Sequence, residues 1–368
     1  MKAHFYVVCL GVFAVMALSN AIVPVLPAFA SGPAWEGAIY AAYFLGAFLS
    51  TLPGGILSDR YGKMRIIIAG LTLTVISGGL LFFTTMPTPV IVLRFVEGIG
   101  AGFFIAAGMS YINSRPDHTR MSGYYLAMLN LGLVIGLIAS GWLAVLFVRP
   151  SLGIGVFTIL SLAALIIALC IRDTSPEDAP ETICCKGFEF RNIIDLIVSK
   201  NRLWYSAIIL VGITGVVTSL YPSFSGVPAD ILGLWIACMS VATIISVLIA
   251  SRFSFPPIPA IQWSAVFMIG GVLLAYVSPL GFIILGALAG IVMVAQMSVL
   301  SCEQDRQGCI MGLFSTSSYL GMTILPFVSG IIANEVGFFP AFLITAILGG
   351  TVAILFSNKF KNGPPQGP

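Results

Sequence analysis

Twelve apolar stretches, most of them about twenty residues long, take up nearly all of this chain. They fall at residues 5–29, 37–57, 66–86, 89–112, 122–147, 151–171, 204–224, 230–250, 260–278, 281–301, 308–333 and 337–357. A helix needs about 20 apolar residues to cross the ~30 Å hydrocarbon core of a bilayer. Composition points the same way: 58% of the 368 residues are hydrophobic and 8% are charged, where a soluble domain carries about 25% charged residues. No soluble core hides that much apolar surface. The expected fold is an all-α membrane protein with twelve transmembrane helices. The first stretch, with Lys2 before it and Ala28-Phe29-Ala30 at its end, mimics a cleavable leader. Its apolar run is longer than the 7–15 residues of a leader core, and Pro24 and Pro27 fit an uncleaved helix with an irregular outer end.

Basic residues set the expected orientation, because short loops rich in Lys and Arg stay on the cytoplasmic side. With the amino terminus inside, Arg149 alone falls in an outer loop and Arg94 within a span; all other basic residues collect in inner loops and tails. An error of one span would scramble that segregation, so both termini are expected in the cytoplasm. Residues 172–202 form the one long polar stretch. DTSPEDAPE reads as an acidic, proline-rich linker, and EFRNIIDLIVSK as an amphipathic helix on the inner surface. The expected organisation is a six-helix half over 1–171, the linker over 172–202, a second six-helix half over 203–358 and a tail over 359–368. An internal repeat supports the division: Gly123, Gly132 and Gly141 recur at one constant offset as Gly312, Gly321 and Gly330.

The densest charge between two spans lies in GILSDRYGKMR, Gly55 to Arg65. It reads as a short cytoplasmic loop. Gly55 and Gly62 supply close approach and a tight turn, while Arg60, Lys63 and Arg65 hold the loop inside. The pattern of Gly55, Leu57, Asp59, Arg60, Gly62 and Lys63 resembles the loop between helices 2 and 3 of the major facilitator superfamily. The resemblance implies a transporter of two pseudo-symmetric halves that rock about a midplane site. It also implies that Asp59 meets the start of span 11, near Gly308 to Gly312, when the transporter faces outward. The positive end of a helix suits a carboxylate there.

Within span 4, Arg94 and Glu97 sit about 7 Å and 12 Å from its start near Pro89, counting 1.5 Å per residue. Their i, i+3 spacing puts both on one helix face, and ionisable groups at such depth read as functional. The run RFVEGIGAG is similar to a superfamily motif in helix 4 whose arginine is associated with proton coupling; Arg94, Gly98 and Gly100 match, and Glu97 stands where glutamine is usual. Span 1 is acid-free, with Asn20 its most polar member, and Glu36, Asp230 and Glu335 are expected to be hydrated at outer helix ends. That leaves Glu97 as the expected proton carrier. In span 5, Gly132, Gly136 and Gly141 resemble an antiporter motif, although Leu137 replaces its proline and Ser140 a glycine. The same small residues, with Gly98, Gly102, Gly321 and Gly330, equally suit close helix packing.

Asn20, Tyr43, Asn130, Thr218, Tyr221, Gln296 and Tyr319 are the candidates for a substrate cavity. His4 and His118 form no pair, and the seven cysteines show no metal-ligand spacing; Cys184 and Cys185 read as ordinary cytoplasmic thiols. No phosphate loop, metal cluster or nucleophile–base set is present, so no enzyme, cofactor or metal is expected. The expected partners are the lipid bilayer, a small-molecule substrate and protons, with no nucleic acid, for a monomer in the inner or plasma membrane. The reading is a proton-coupled exporter of drugs or metabolites. Two alternatives stay open: a facilitator or importer of a small anion held by Arg94, and a non-transporting sensor or scaffold on the same fold.

Overall fold

A computed structural model describes residues 2–115, 117–171, 197–253, 255–300 and 307–357. The elements in order are α1 Lys2–Ala21, a 3-10 segment Val23–Ala28, α2 Pro33–Tyr61, α3 Lys63–Phe83, α4 Pro87–Asn113, α5 His118–Leu146 and α6 Leu152–Cys170. They continue with α7 Asn201–Ser225, α8 Ala229–Ala250, α9 Pro257–Val277, α10 Leu280–Leu300, α11 Gln307–Glu335 and α12 Phe338–Ser357. Among the described residues, twelve helices are long and apolar enough to cross a membrane, as the apolar stretches predict. The linker, the surface helix up to residue 196, the paired cysteines and the tail lie outside the described residues.

The irregular outer end expected of the first apolar run is a 3-10 segment: α1 stops at Ala21 and the chain tightens, because Pro24 and Pro27 have no N–H to continue the ladder. One sequence expectation needs correction: Gly55–Arg65 is not a loop. α2 runs on to Tyr61, carrying Asp59 and Arg60 on its last turn, and α3 starts at Lys63. Gly62 alone makes the connection, at φ +99°, where any side chain would be strained. Gly55 has a different place: it is mid-helix, with nothing within 4 Å of where a Cβ would stand.

The described chain divides into two compact units, residues 2–171 with Thr218–Ala237, and residues 197–217 with 238–357. In the first, α4 packs most extensively, against α2 and α3, and α1 packs on α5 and α6. In lipid no hydrophobic force draws helices together, so contact depends on small residues that let backbones approach. Gly98 of α4 lies on the carbonyl of Tyr43, Gly102 on Ser50, and Gly46 of α2 on the carbonyl of Phe95. Gly132 and Gly136 of α5 rest on the carbonyls of Phe13 and Ala17 of α1. Beneath them Val8, Val12, Leu71, Phe104 and Tyr125 build a buried core. In the second unit α9 packs on α10 and α12, and Gly321 of α11 rests on the carbonyl of Ile208 of α7. Outward faces are apolar as lipid requires: Leu80, Val92, Trp142, Ile159 and Ile354 are each more than half exposed.

Candidate functional site

α1 ends just where Pro24 withholds the N–H that Asn20's carbonyl would otherwise receive, and a helix end leaves its last carbonyls unsatisfied. Two side chains from other helices take up the slack. Arg94 Nη2 of α4 donates to the Ser19 carbonyl at 3.1 Å, and Ser140 Oγ of α5 donates to the Ala21 carbonyl at 2.7 Å. A cation at a helix carboxyl end is also favoured by the macrodipole.

Arg94 reaches its partner along its own helix. Nη1 donates to Glu97 Oε2 at 2.8 Å, the i, i+3 pairing read from the sequence. Its guanidinium lies 4.5 Å from the centre of the Tyr43 ring on α2, an attraction strengthened by desolvation. Arg94 and Glu97 are each 1% exposed. The arrangement uses Arg's planar fork, since one ammonium could not serve Ser19, Glu97 and the ring face together. Among the described residues it leaves two buried atoms without a hydrogen-bond partner, Arg94 Nε and Glu97 Oε1. The pair is therefore locked in place yet not fully satisfied, and Glu97 keeps one oxygen able to take a proton.

Of the outer-end acids, Glu335 is exposed and takes an amide hydrogen bond from Asn334 at 3.0 Å. Asp230 is half-buried. Glu36 contradicts the expectation of hydration: it is 0% exposed, and Ser223 of α7 donates its hydroxyl to Glu36 Oε1. An acid in the first turn of a helix reads as a solvated partner of the dipole. Its cover comes from a residue 187 positions away, which no local signal announces.

Most of the cavity candidates are committed to contacts within the protein. Tyr43 lies under Arg94; Asn20 Nδ2 donates to the Leu133 carbonyl at 3.2 Å; Asn130 Nδ2 donates to Leu126 of its own helix at 2.8 Å. Thr218 is hydrogen-bonded to Tyr40, and Tyr221 meets Phe224 and Trp235 edge-on at 5.6 Å and 6.2 Å. In the second unit, Gln296 Nε2 donates to Ser206 Oγ at 2.9 Å with its Oε1 buried and unpartnered, and Tyr319 is half-buried. An apolar cleft of about 600 Å³ at Leu80, Phe83, Thr88 and Val92, and a smaller one of about 260 Å³ at Pro24, Pro27, Val145 and Val227, are lined by none of these residues. Asp59 accepts a hydrogen bond from Ser110 Oγ of α4 at 3.1 Å. The side chains of 308–311 lie outside the described residues.

Among the described residues, twelve helices fit to cross a bilayer, one of them holding a sealed ion pair, define a multi-pass membrane protein. The model of the Major Facilitator Superfamily matches residues 8–322, and the chain belongs to that family. It is 23% identical over 361 residues to multidrug resistance protein 2 of Bacillus subtilis, covering 90% of this chain and 89% of that one. Over 104 residues, 27% of this chain and 26% of the other, it is 34% identical to a homologue of the multi-drug resistance efflux pump PmrA from Lactococcus lactis. The crystal structure of a D-xylose–proton symporter superposes with a TM-score of 0.76 at 14% identity, covering 96% of this chain and 97% of that one; at such identity the likeness speaks for the fold. The protein is thus a secondary transporter of small molecules, not an enzyme.

Proposed function

We propose that this transporter exports a small molecule, a drug-like compound or a metabolite, in exchange for protons, from the cytoplasm across the inner or plasma membrane. One observation carries the reading: the sealed Arg94–Glu97 pair leaves Glu97 Oε1 unsatisfied. Protonation of Glu97 cancels the charge that holds Nη1 and frees Arg94 to reorganise against Ser19 and Tyr43. A bound proton then favours one conformation over another by the difference in its affinity for the two. The likeness to two multidrug resistance proteins supports export, while Leu137 and Ser140 depart from the antiporter motif in α5. Two six-helix halves, 1–171 and 203–358, rock about a midplane site as in transporters built from repeats. Asp59 and Arg60 at the end of α2, with Lys63 and Arg65 at the start of α3 across Gly62, act as the conformational gate.

A second reading rests on the unpartnered Arg94 Nε: an anionic substrate bound there by a facilitator. Purified protein screened by thermal shift against cationic, neutral and anionic compounds supplies a ligand. Its flux into and out of proteoliposomes with and without an imposed pH gradient then separates the two. Gradient-driven accumulation supports antiport; equal flux without a gradient supports the facilitator.

A further inference from the structure

The outer end of the first unit holds a carboxylate that the coupling pair does not use. Glu36 stands in the first turn of α2, its backbone N–H bonded to the Gly32 carbonyl at 3.1 Å. Its side chain is wholly buried. Oε1 accepts from the Ser223 hydroxyl, and the carboxyl also takes a hydrogen bond from the Ser223 backbone. Pro222, one residue earlier, has no N–H for the ladder of α7. Oε2 is buried with no partner, and no cation pairs with Glu36 among the described residues. An ionised carboxylate in that setting carries a desolvation cost with no cation to offset it, only the Ser223 hydrogen bonds and the start of α2, whereas a neutral carboxyl does not carry that cost.

The surrounding elements offer no counter-charge. The 3-10 segment VPVLPA has no titratable group, and α3 carries its Lys63 and Arg65 at the opposite, inner end. α7 contributes Tyr221, and α8 contributes Asp230, whose Oδ1 is also buried and unpartnered. α4 contributes Arg94 and Glu97, which pair with each other. One turn along α2 from Glu36, Tyr40 is bonded to Thr218 of α7 and lies within electrostatic reach of Arg94; Tyr43 follows, under the Arg94 guanidinium. Glu36, Tyr40 and Tyr43 share one face of α2 by their i, i+4, i+7 spacing, so a polar seam leads from the outer end to the coupling pair.

We propose that Glu36 is a second proton-binding site, on the outer side, and that its protonated carboxyl latches the end of α7 to α2 through Ser223. When the latch parts, water reaches Glu36, the proton passes to that water, and the hydrated carboxylate cannot be resealed until it takes a proton back. The proposal rests on the proton-coupled reading for its purpose but not for its test. Spin labels at Ser31→Cys and Pro228→Cys, exposed positions beside α2 and α7, report the latch in purified protein on a cysteine-depleted background without substrate or gradient. In otherwise wild-type protein the short-distance population is expected to dominate at low pH and to give way by several-fold as pH rises. Glu36→Gln, which resembles the protonated form, is expected to hold the short distance at every pH. Ser223→Ala is expected to move the transition to lower pH, and Glu97→Gln to leave a pH transition in place. A wild-type pH response in Glu36→Gln overturns the proposal, as does a transition that follows Na⁺ at constant pH. Failure of gradient-driven flux, with these distances behaving as stated, sinks the antiport reading and leaves the latch standing.

Discussion

Removing the Arg94 guanidinium strands Glu97 in a dry site and leaves the Ser19 carbonyl without its donor. Arg94→Ala is therefore expected to cost about 3–5 kcal/mol, the range for breaking a buried pair. Arg94→Ala with Glu97→Gln should recover a large part of that loss, because no charge is then left alone. Melting in detergent checks both; equal destabilisation of single and double variants would mean that the pair contributes little to the fold. The i, i+3 spacing made Arg94 and Glu97 legible in the sequence, since a helix brings such residues together whatever surrounds it. The Ser19 carbonyl and the Tyr43 ring were not legible as partners of Arg94, because they come from α1 and α2. Pro24 was the available signal, a proline that frees helix carbonyls for a cation to find.

Between helices, the close contacts divide glycines that a motif treats alike. A Cβ at Gly98 would meet the carbonyl of Tyr43 and the backbone nitrogen of Ala47, so Gly98→Ala is expected to cost about 1–3 kcal/mol through overpacking. Gly55, with open space around it, sits inside α2, where Gly→Ala is expected to stabilise by up to about 1 kcal/mol. Thermal melting of the two variants side by side checks the contrast, and loss of stability in Gly55→Ala would contradict the open environment. Spans were legible because apolar length is a property of the segment alone. The connection at Gly62 was not, because charged residues mark exit from lipid but do not mark the end of a helix; α2 carries Asp59 and Arg60 past the apolar run as helix up to Tyr61, even with Pro53 inside it. The burial of Glu36 was hidden for a related reason: it depends on where α7 ends, not on anything near residue 36.

For the molecule as a whole, the segregation of basic residues gives a direct expectation. Tags at residue 1, within 176–186 and at residue 365 should report the cytoplasm, and a tag at 32 the outside; a cytoplasmic report at 32 would contradict the orientation. Asp59→Asn should keep the fold and surface level while shifting the population toward the inward-facing state. A helix-end charge contact is worth about 0.3–2 kcal/mol, enough to move a near-balanced equilibrium several-fold, and distances between the outer ends of α1 and α7 would read it. Whether Glu97 carries the coupling proton is tested most directly by substrate flux in proteoliposomes under an imposed pH gradient, comparing wild type with Glu97→Gln. The nearly isosteric variant is expected to bind substrate and exchange it without a gradient, yet to lose gradient-driven flux. Wild-type gradient dependence in Glu97→Gln would contradict that role for Glu97.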